Sequence, residues 1–160
     1  MERFDEIKTR FEKFLREVAD GFRSEPILAE AMRYSLFSGG KRIRPVMLIA
    51  AAEAFGKEAD ESVMTFAAAV ECLHVYSLVH DDLPSMDNDD YRRGMLTSHK
   101  KFGEDIAILT GDALLSESFR LILKSIEIGG FSREHFAAAK LFADKVGADG
   151  LISGQVRDLR

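Results

Sequence analysis

Five aspartates, Asp81, Asp82, Asp87, Asp89 and Asp90, fall within the ten residues Asp81-Asp82-Leu83-Pro84-Ser85-Met86-Asp87-Asn88-Asp89-Asp90, with no basic residue among them. Carboxylates crowded this closely repel one another unless solvent screens them or a cation binds. Magnesium is the natural counterpart: it prefers oxygen donors, keeps several waters, and is commonly held by one or two carboxylates together with a substrate's phosphates. The plain alternative is an exposed, solvated acidic loop. Upstream, His74, Ser77 and Asp81 are spaced three and four apart, which puts them on one stripe of a helix. On an otherwise apolar helix, that stripe reads as a polar wall inside a cavity. A hydrogen-bonded core histidine is the competing reading of His74.

Two basic stretches could answer these acids. In Gly39-Gly40-Lys41-Arg42-Ile43-Arg44-Pro45 the glycines allow close backbone approach to a ligand, and three cations follow within four residues. Pro45 marks a helix start, whose free N–H groups favour an anion. Arg44, preceding proline, is biased away from helical geometry and is expected to project from the loop. A flexible basic turn is the alternative. Tyr91-Arg92-Arg93-Gly94 follows the aspartates directly, with Lys100-Lys101 close behind. Its arginines suit either exposed intraloop ion pairs of little energetic weight or a bidentate grip on phosphate oxygens. Aspartates for a metal, cations for phosphates and an apolar helical cavity together fit a substrate with a diphosphate head and a hydrocarbon tail.

Other motif readings fail on specific positions. Glu71-x-x-His74 matches one half of a di-iron helical site, but no second such pair exists. An EF-hand starting at Asp87 would need Gly where Arg92 stands and Glu where Ser98 stands. A Walker A loop is absent. Cys72 lies among apolar neighbours in mid-helix, which suits inert packing.

The elements that must position these residues are helical. Phe4, Ile7, Phe11, Phe14, Leu15 and Val18 recur at steps of three and four before Asp20-Gly21. Ser24 and Pro26 offer a cap and first-turn proline for a second helix through Phe37, ended by Gly39-Gly40. A third runs from Pro45 and Val46 to Phe55. Asp60 or Ser62 caps a fourth, the longest and most apolar, which ends by Pro84. After an irregular polar stretch from Ser85 to His99 come helices at Glu104–Ile128 and Ser132–Val146, and a further one begins near Asp149. No alternating β-branched run is found, so the expected fold is all-α, one helical domain over 1–160 with short connections and antiparallel neighbours. The helical pattern is still running at Leu159-Arg160, which gives the expectation of a chain cut rather than finished.

Composition narrows the classes further. Of 160 residues 46% are hydrophobic, enough for one core and too many for a disordered chain. The 22 basic and 27 acidic residues give a net charge of -5; without the five clustered aspartates the two signs would balance at 22 each. No basic excess supports nucleic-acid binding. The charged N-terminus lacks a signal-peptide core, and a lone cysteine cannot form an internal disulfide, so a cytoplasmic location is expected. The best apolar run, Val46 to Ala52, falls well short of a membrane span, and no stable membrane insertion is expected.

Gly39 to Pro45, His74 to Arg93 with its Asp-Asp-x-x-x-x-Asp core, Lys101-Phe102-Gly103, Thr110-Gly111-Asp112-Ala113-Leu114 and Gly154-Gln155 occur in an order that resembles the trans-isoprenyl diphosphate synthases, nearest the bacterial farnesyl diphosphate synthase group. The resemblance implies an antiparallel helical bundle around a central cavity, assembly as a homodimer, and Mg2+ as cofactor. It implies that Asp81, Asp82 and Asp87 bind magnesium on the diphosphate of an allylic substrate, dimethylallyl or geranyl diphosphate, which Arg92 also contacts. It implies that Lys41, Arg44, His74 and Arg93 hold isopentenyl diphosphate. Tyr76 and Ser77, five and four residues before Asp81, resemble the positions that set product length, with the aromatic suggesting a fifteen-carbon product. Helix geometry places Ser77 about 40° from Asp81 and Tyr76 about 140° away, so the assignment of Tyr76 rests on the resemblance. Family members are nearly twice as long and carry a second aspartate-rich motif that is absent here, so the chain resembles the N-terminal half. A longer-chain geranylgeranyl-type synthase and a noncatalytic helical module that binds a prenyl diphosphate or a partner subunit are the other readings.

Overall fold

The computed structural model describes residues 2–160. Its elements in chain order are α1 (Glu2–Asp20), α2 (Pro26–Leu36), α3 (Ile43–Ala54), α4 (Glu61–Asp81), β1 (Tyr91–Arg92), β2 (Met95–Leu96), α5 (Ser98–Phe102), α6 (Glu104–Ile128), α7 (Arg133–Val146), a π-helical segment (Ala148–Ile152) and α8 (Ser153–Asp158). The all-α expectation holds, and the two-residue ladder β1–β2 is the sole sheet among the described residues.

The bundle is organised around α4. α6 packs along it, and α1, α2 and α3 cover its other sides. Small side chains make this possible: Ala67, Ala68, Ala69 and Cys72 are fully buried, so neighbouring backbones come close. α1 contributes Ile7, Phe11, Leu15 and Ala19, the three-and-four spacing of one buried stripe. Contrary to the sequence expectation, α4 is long and apolar enough to cross a membrane, with a mean hydropathy of 1.5 over its best window. The physical reason is that α4 has a buried surface on nearly every side, with 61% of that window inside the bundle, which marks the central helix of a core.

Helix ends follow local chemistry. Asp60 caps α4 by accepting from the Val63 amide at 3.0 Å. Ser132 caps α7 by accepting from the His135 amide. Ser24 does not cap α2; Glu25 occupies that position without a side-chain bond, and Pro26 supplies the preset first turn. α3 begins at Ile43 rather than Pro45, so Arg44 is helical after all. A proline in the first turn removes only an N–H that has no intrahelical partner.

The stretch after α4 is more ordered than its polarity suggests. Tyr91 pairs with Leu96 and Arg92 with Met95, and the two residues between them, Arg93 and Gly94, have φ of 55° and 81°. That is the backbone of a tight two-residue hairpin turn. The Tyr34 hydroxyl donates to the Leu96 carbonyl at 2.8 Å and fastens the hairpin to α2. Lys101 lies 3.7 Å from the centre of the Tyr34 ring, and Phe102 packs edge-on against it.

Candidate active site

The basic turn folds around a hollow of about 570 Å³ whose lining includes Gly39, Gly40, Lys41, Arg44, His74 and Arg93. α2 delivers the chain to Gly39 and Gly40, whose φ values of 90° and 135° suit only glycine. A Cβ on Gly40 would also press on the Arg93 guanidinium, which donates to the Gly39 carbonyl. Arg44 projects from the first turn of α3 and approaches His74 on α4, Nη1 to Nε2 at 3.3 Å. The arginine can only donate, so Nε2 accepts and the imidazole proton sits on Nδ1. Burial, then the charges of Arg44, Arg93, Arg42 and Arg92, hold His74 down to a pKa of about 4. A neutral histidine among guanidinium groups marks a positive field suited to an anion.

Arg42 separates from its neighbours. It is the N-cap of α3 at φ 56° and turns inward, its side chain 2% exposed. It donates to Glu71 Oε1 at 2.6 Å and to the Leu36 carbonyl at 2.7 Å. Of the three cations in the motif, only Lys41 and Arg44 remain open to a ligand.

The acidic side is built at the C-terminal end of α4. Arg92 Nε donates to both carboxylate oxygens of Asp82, at 2.7 and 2.9 Å, and Asp82 is buried. The same guanidinium lies 3.9 Å from Asp81 and 3.7 Å from Asp89. Asp81 and Asp87 are joined by the Asp87 amide, which donates to the Asp81 carbonyl at 2.9 Å. Gln155 of α8 donates to Asp81. Burial first and the Asp87 charge second push the Asp81 carboxyl above its usual range. Below it is a hollow of about 390 Å³, lined by Tyr76, Ser77, His80, Asp81 and Met86, and by Leu151 and Val156 from the C-terminal segment.

Tyr76 and Ser77 therefore both face the space beneath Asp81, despite their angular separation on the helix. Tyr76 packs edge-on against His80 at 5.0 Å between ring centres. Ser77, read as part of a polar wall, turns its hydroxyl back onto the His74 carbonyl at 2.8 Å and offers less to a ligand. The single stripe of His74, Ser77 and Asp81 is divided: His74 lines the basic hollow and the other two line the acidic one. A crevice of about 30 Å³, lined by Ser38 of the basic turn and by Asp82 and Arg92, adjoins both groups.

Residues 25–160 match the family described as polyprenyl synthetase. The chain belongs to the polyprenyl synthetase family. It is 50% identical over 134 residues to a chloroplastic geranylgeranyl pyrophosphate synthase of Capsicum annuum, covering 84% of this chain and 36% of that protein. It is 44% identical over 133 residues to a farnesyl diphosphate synthase of Micrococcus luteus, covering 83% and 44%. Its fold superposes on a geranyltransferase structure from Legionella pneumophila with a TM-score of 0.91 at 37% identity, covering 98% of this chain and 55% of that one. The chain thus spans less than half the length of these curated relatives and about half of the solved chain.

Among the described residues, no group of three or more His, Cys, Asp or Glu side chains is gathered to hold a metal. The donors nevertheless fit part of a magnesium site in a polyprenyl synthetase. Asp81 and Asp87 are mutually repelling carboxylates, and magnesium completes its shell with water and substrate phosphate. Asp82 is already taken by Arg92.

Sequence reasoning left the partners of three residues unread. Glu71 was weighed only as a metal ligand and is the buried partner of Arg42. His80 donates from Nε2 to the Ile108 carbonyl at 3.0 Å and lies 3.8 Å from Asp112. Gln155 reaches Asp81 because the helix breaks at Gly150, with φ −105° and ψ −112°; the Gly154-Gln155 pair was the available signal. Cys72 matches its expected inert role, buried with its thiol pKa pushed up by burial.

Proposed function

We propose that this chain supplies the first half of a trans-prenyltransferase that joins isopentenyl diphosphate to dimethylallyl or geranyl diphosphate, releasing pyrophosphate and a proton. The observation that carries the reading is the divergence of Arg92 and Arg93. One neighbour grips Asp82 beside Asp81, and the other reaches Gly39 at the basic hollow. Two diphosphate-handling groups are thereby set side by side.

In this reading Lys41, Arg44 and Arg93 bind the diphosphate of isopentenyl diphosphate, with neutral His74 donating from Nδ1. Asp81, Asp82 and Asp87 would hold magnesium, and Arg92, which here grips Asp82, would contact the allylic diphosphate. Magnesium bound there supplies positive charge to the departing diphosphate. Ionising an allylic diphosphate separates charge, so cations fixed in place before the reaction lower the barrier. Arg92 contributes a planar pair of donors to that group. Tyr76, Met86, Leu151 and Val156 form an apolar surface beneath Asp81 that keeps water from the hydrocarbon tail.

Tyr76 against His80 beneath Asp81 supports farnesyl diphosphate as the product. The relatives named as geranylgeranyl pyrophosphate synthases support the twenty-carbon alternative equally. The reading includes homodimer assembly, for which exposed Leu109, Phe119 and Leu123 of α6 offer apolar surface. The test is an assay of the complete enzyme with isopentenyl and geranyl or dimethylallyl diphosphate plus magnesium, with products resolved by length. Absence of any prenyl product refutes the reading. Prenyl diphosphate binding without turnover favours a noncatalytic module.

A further inference from the structure

Arg42 and Glu71 both line the basic hollow, yet their side chains are only 2% and 3% exposed. The hollow's lining holds four cations, Lys41, Arg42, Arg44 and Arg93, and a single carboxylate, that of Glu71. An acid in the wall of an anion pocket opposes the ligand unless it is neutralised. Arg42 neutralises it at 2.6 Å, and its second nitrogen ties the Leu36 carbonyl at the end of α2. Its Nε lies 3.5 Å from Glu12 of α1. The backbone of Arg42 adopts the left-handed region to do this, while Lys41 and Arg44 on either side remain exposed. Arg93 lines the same hollow, its pKa lowered first by burial and then by the charge of Arg42, with Glu71 opposing.

We propose that the buried Arg42–Glu71 pair is a positioning and charge-setting device for the basic hollow: Arg42 silences Glu71 toward a bound diphosphate and pins the turn that presents Lys41 and Arg44. The proposal rests on the reading of this hollow as a diphosphate site. Neither residue touches the ligand. The pair fixes the hollow's net charge at three positive, below what four free cations would give, which limits how tightly the diphosphate end of the product is held there after reaction.

Calorimetric titration of the complete enzyme with inorganic pyrophosphate, without metal, tests this in the wild type and in R42M, E71Q, R44A and the R42M/E71Q double variant. Expected is at least a tenfold loss of affinity in R42M and recovery to within threefold of wild type in the double variant. E71Q is the decisive case, because the amide keeps the shape and its oxygen can still accept from Arg42, while the Arg42 charge is no longer cancelled in the wall of the hollow. It should bind pyrophosphate at least threefold tighter than wild type, and the gain should shrink as salt is raised. A merely structural pair predicts equal or weaker binding in E71Q, and that result overturns the proposal. A double variant as weak as R42M overturns it too. If R44A binds like wild type, or wild type binds nothing, the diphosphate reading of the hollow fails. Loss in R44A without gain in E71Q leaves that reading standing and removes this inference alone.

Discussion

The imidazole of His80 on α4 occupies the place where a side chain at Gly111 on α6 would begin. A Cβ built on Gly111 would fall against three atoms of the ring, and the ring's Nε2 is already committed to the Ile108 carbonyl at 3.0 Å. The two central helices therefore meet through a histidine seated on a glycine, one residue before Asp81.

Gly111→Ala should consequently reverse the usual sign of a helix substitution. Alanine ordinarily favours a helix interior by about 1 kcal/mol over glycine. Here overpacking should dominate and destabilise by about 2 kcal/mol. Thermal unfolding gives the answer, and an unchanged or higher midpoint would show that α4 and α6 can separate without penalty. The same shift should disturb Asp81 and lower turnover in the complete enzyme.

Asp81→Ala should lower turnover of the complete enzyme by at least about a hundredfold, the scale of losing one preorganised electrostatic group. The fold should survive, because Arg92 keeps its bonds to Asp82 and no buried partner is stranded. Steady-state kinetics paired with far-ultraviolet circular dichroism checks both parts. Unchanged turnover at retained helicity removes Asp81 from the metal role.

The folded-state pKa of His74, about 4, lies below its ordinary value of 6.5, so the native state binds this proton less readily than the unfolded chain. The sign is then fixed: this contribution to stability is fully present above pH 6.5 and is lost as pH falls toward 4. A diphosphate in the basic hollow should push His74 back up by offsetting the four arginines, with proton uptake on binding near pH 5. Histidine ring resonances followed through a titration, with and without pyrophosphate, measure this. A His74 titration that pyrophosphate leaves unmoved would separate the histidine from the anion site.

Tyr76→Ala should lengthen the product of the complete enzyme. Removing the ring opens space beneath Asp81 beside His80, where the proposed reading has bulk limit hydrocarbon growth. Chromatography of the prenyl products decides it, and an unaltered distribution rules out Tyr76 as the floor.

Much of the bundle was legible because long helices report their own periodicity. The Glu104–Ile128 bounds, the Asp60 cap and the glycine stop at Gly129 all rest on local chemistry that a sequence displays. The start of α3 was misplaced because Pro45 tolerates any first-turn position, and only packing selects Ile43. The hairpin escaped notice because two paired residues give no alternation to detect. At the site, residue types were visible and partners were not. Lys41, Arg42 and Arg44 look alike in a row, and only the fold shows that Arg42 turns inward to Glu71, 29 positions away. The Asp81 contact with Gln155, 74 residues apart, depends on a break at Gly150 that no helical pattern signals.

Non-glycine residues with a positive φ among the described residues are Arg42, Asn88, Arg93 and Phe131, and three of the four sit in the two loops that border the hollows. Each such residue costs about 1–2 kcal/mol in an L-amino-acid chain. Glycine at 93 would relieve the backbone while deleting a guanidinium that the basic hollow depends on, whereas glycine at 42 would strand the buried Glu71 carboxylate and cost more than it relieves. Directed evolution for heat resistance alone should therefore drift toward glycine at residue 93, and thermostable isolates from such a screen should be enriched in molecules that have forgotten how to hold a diphosphate.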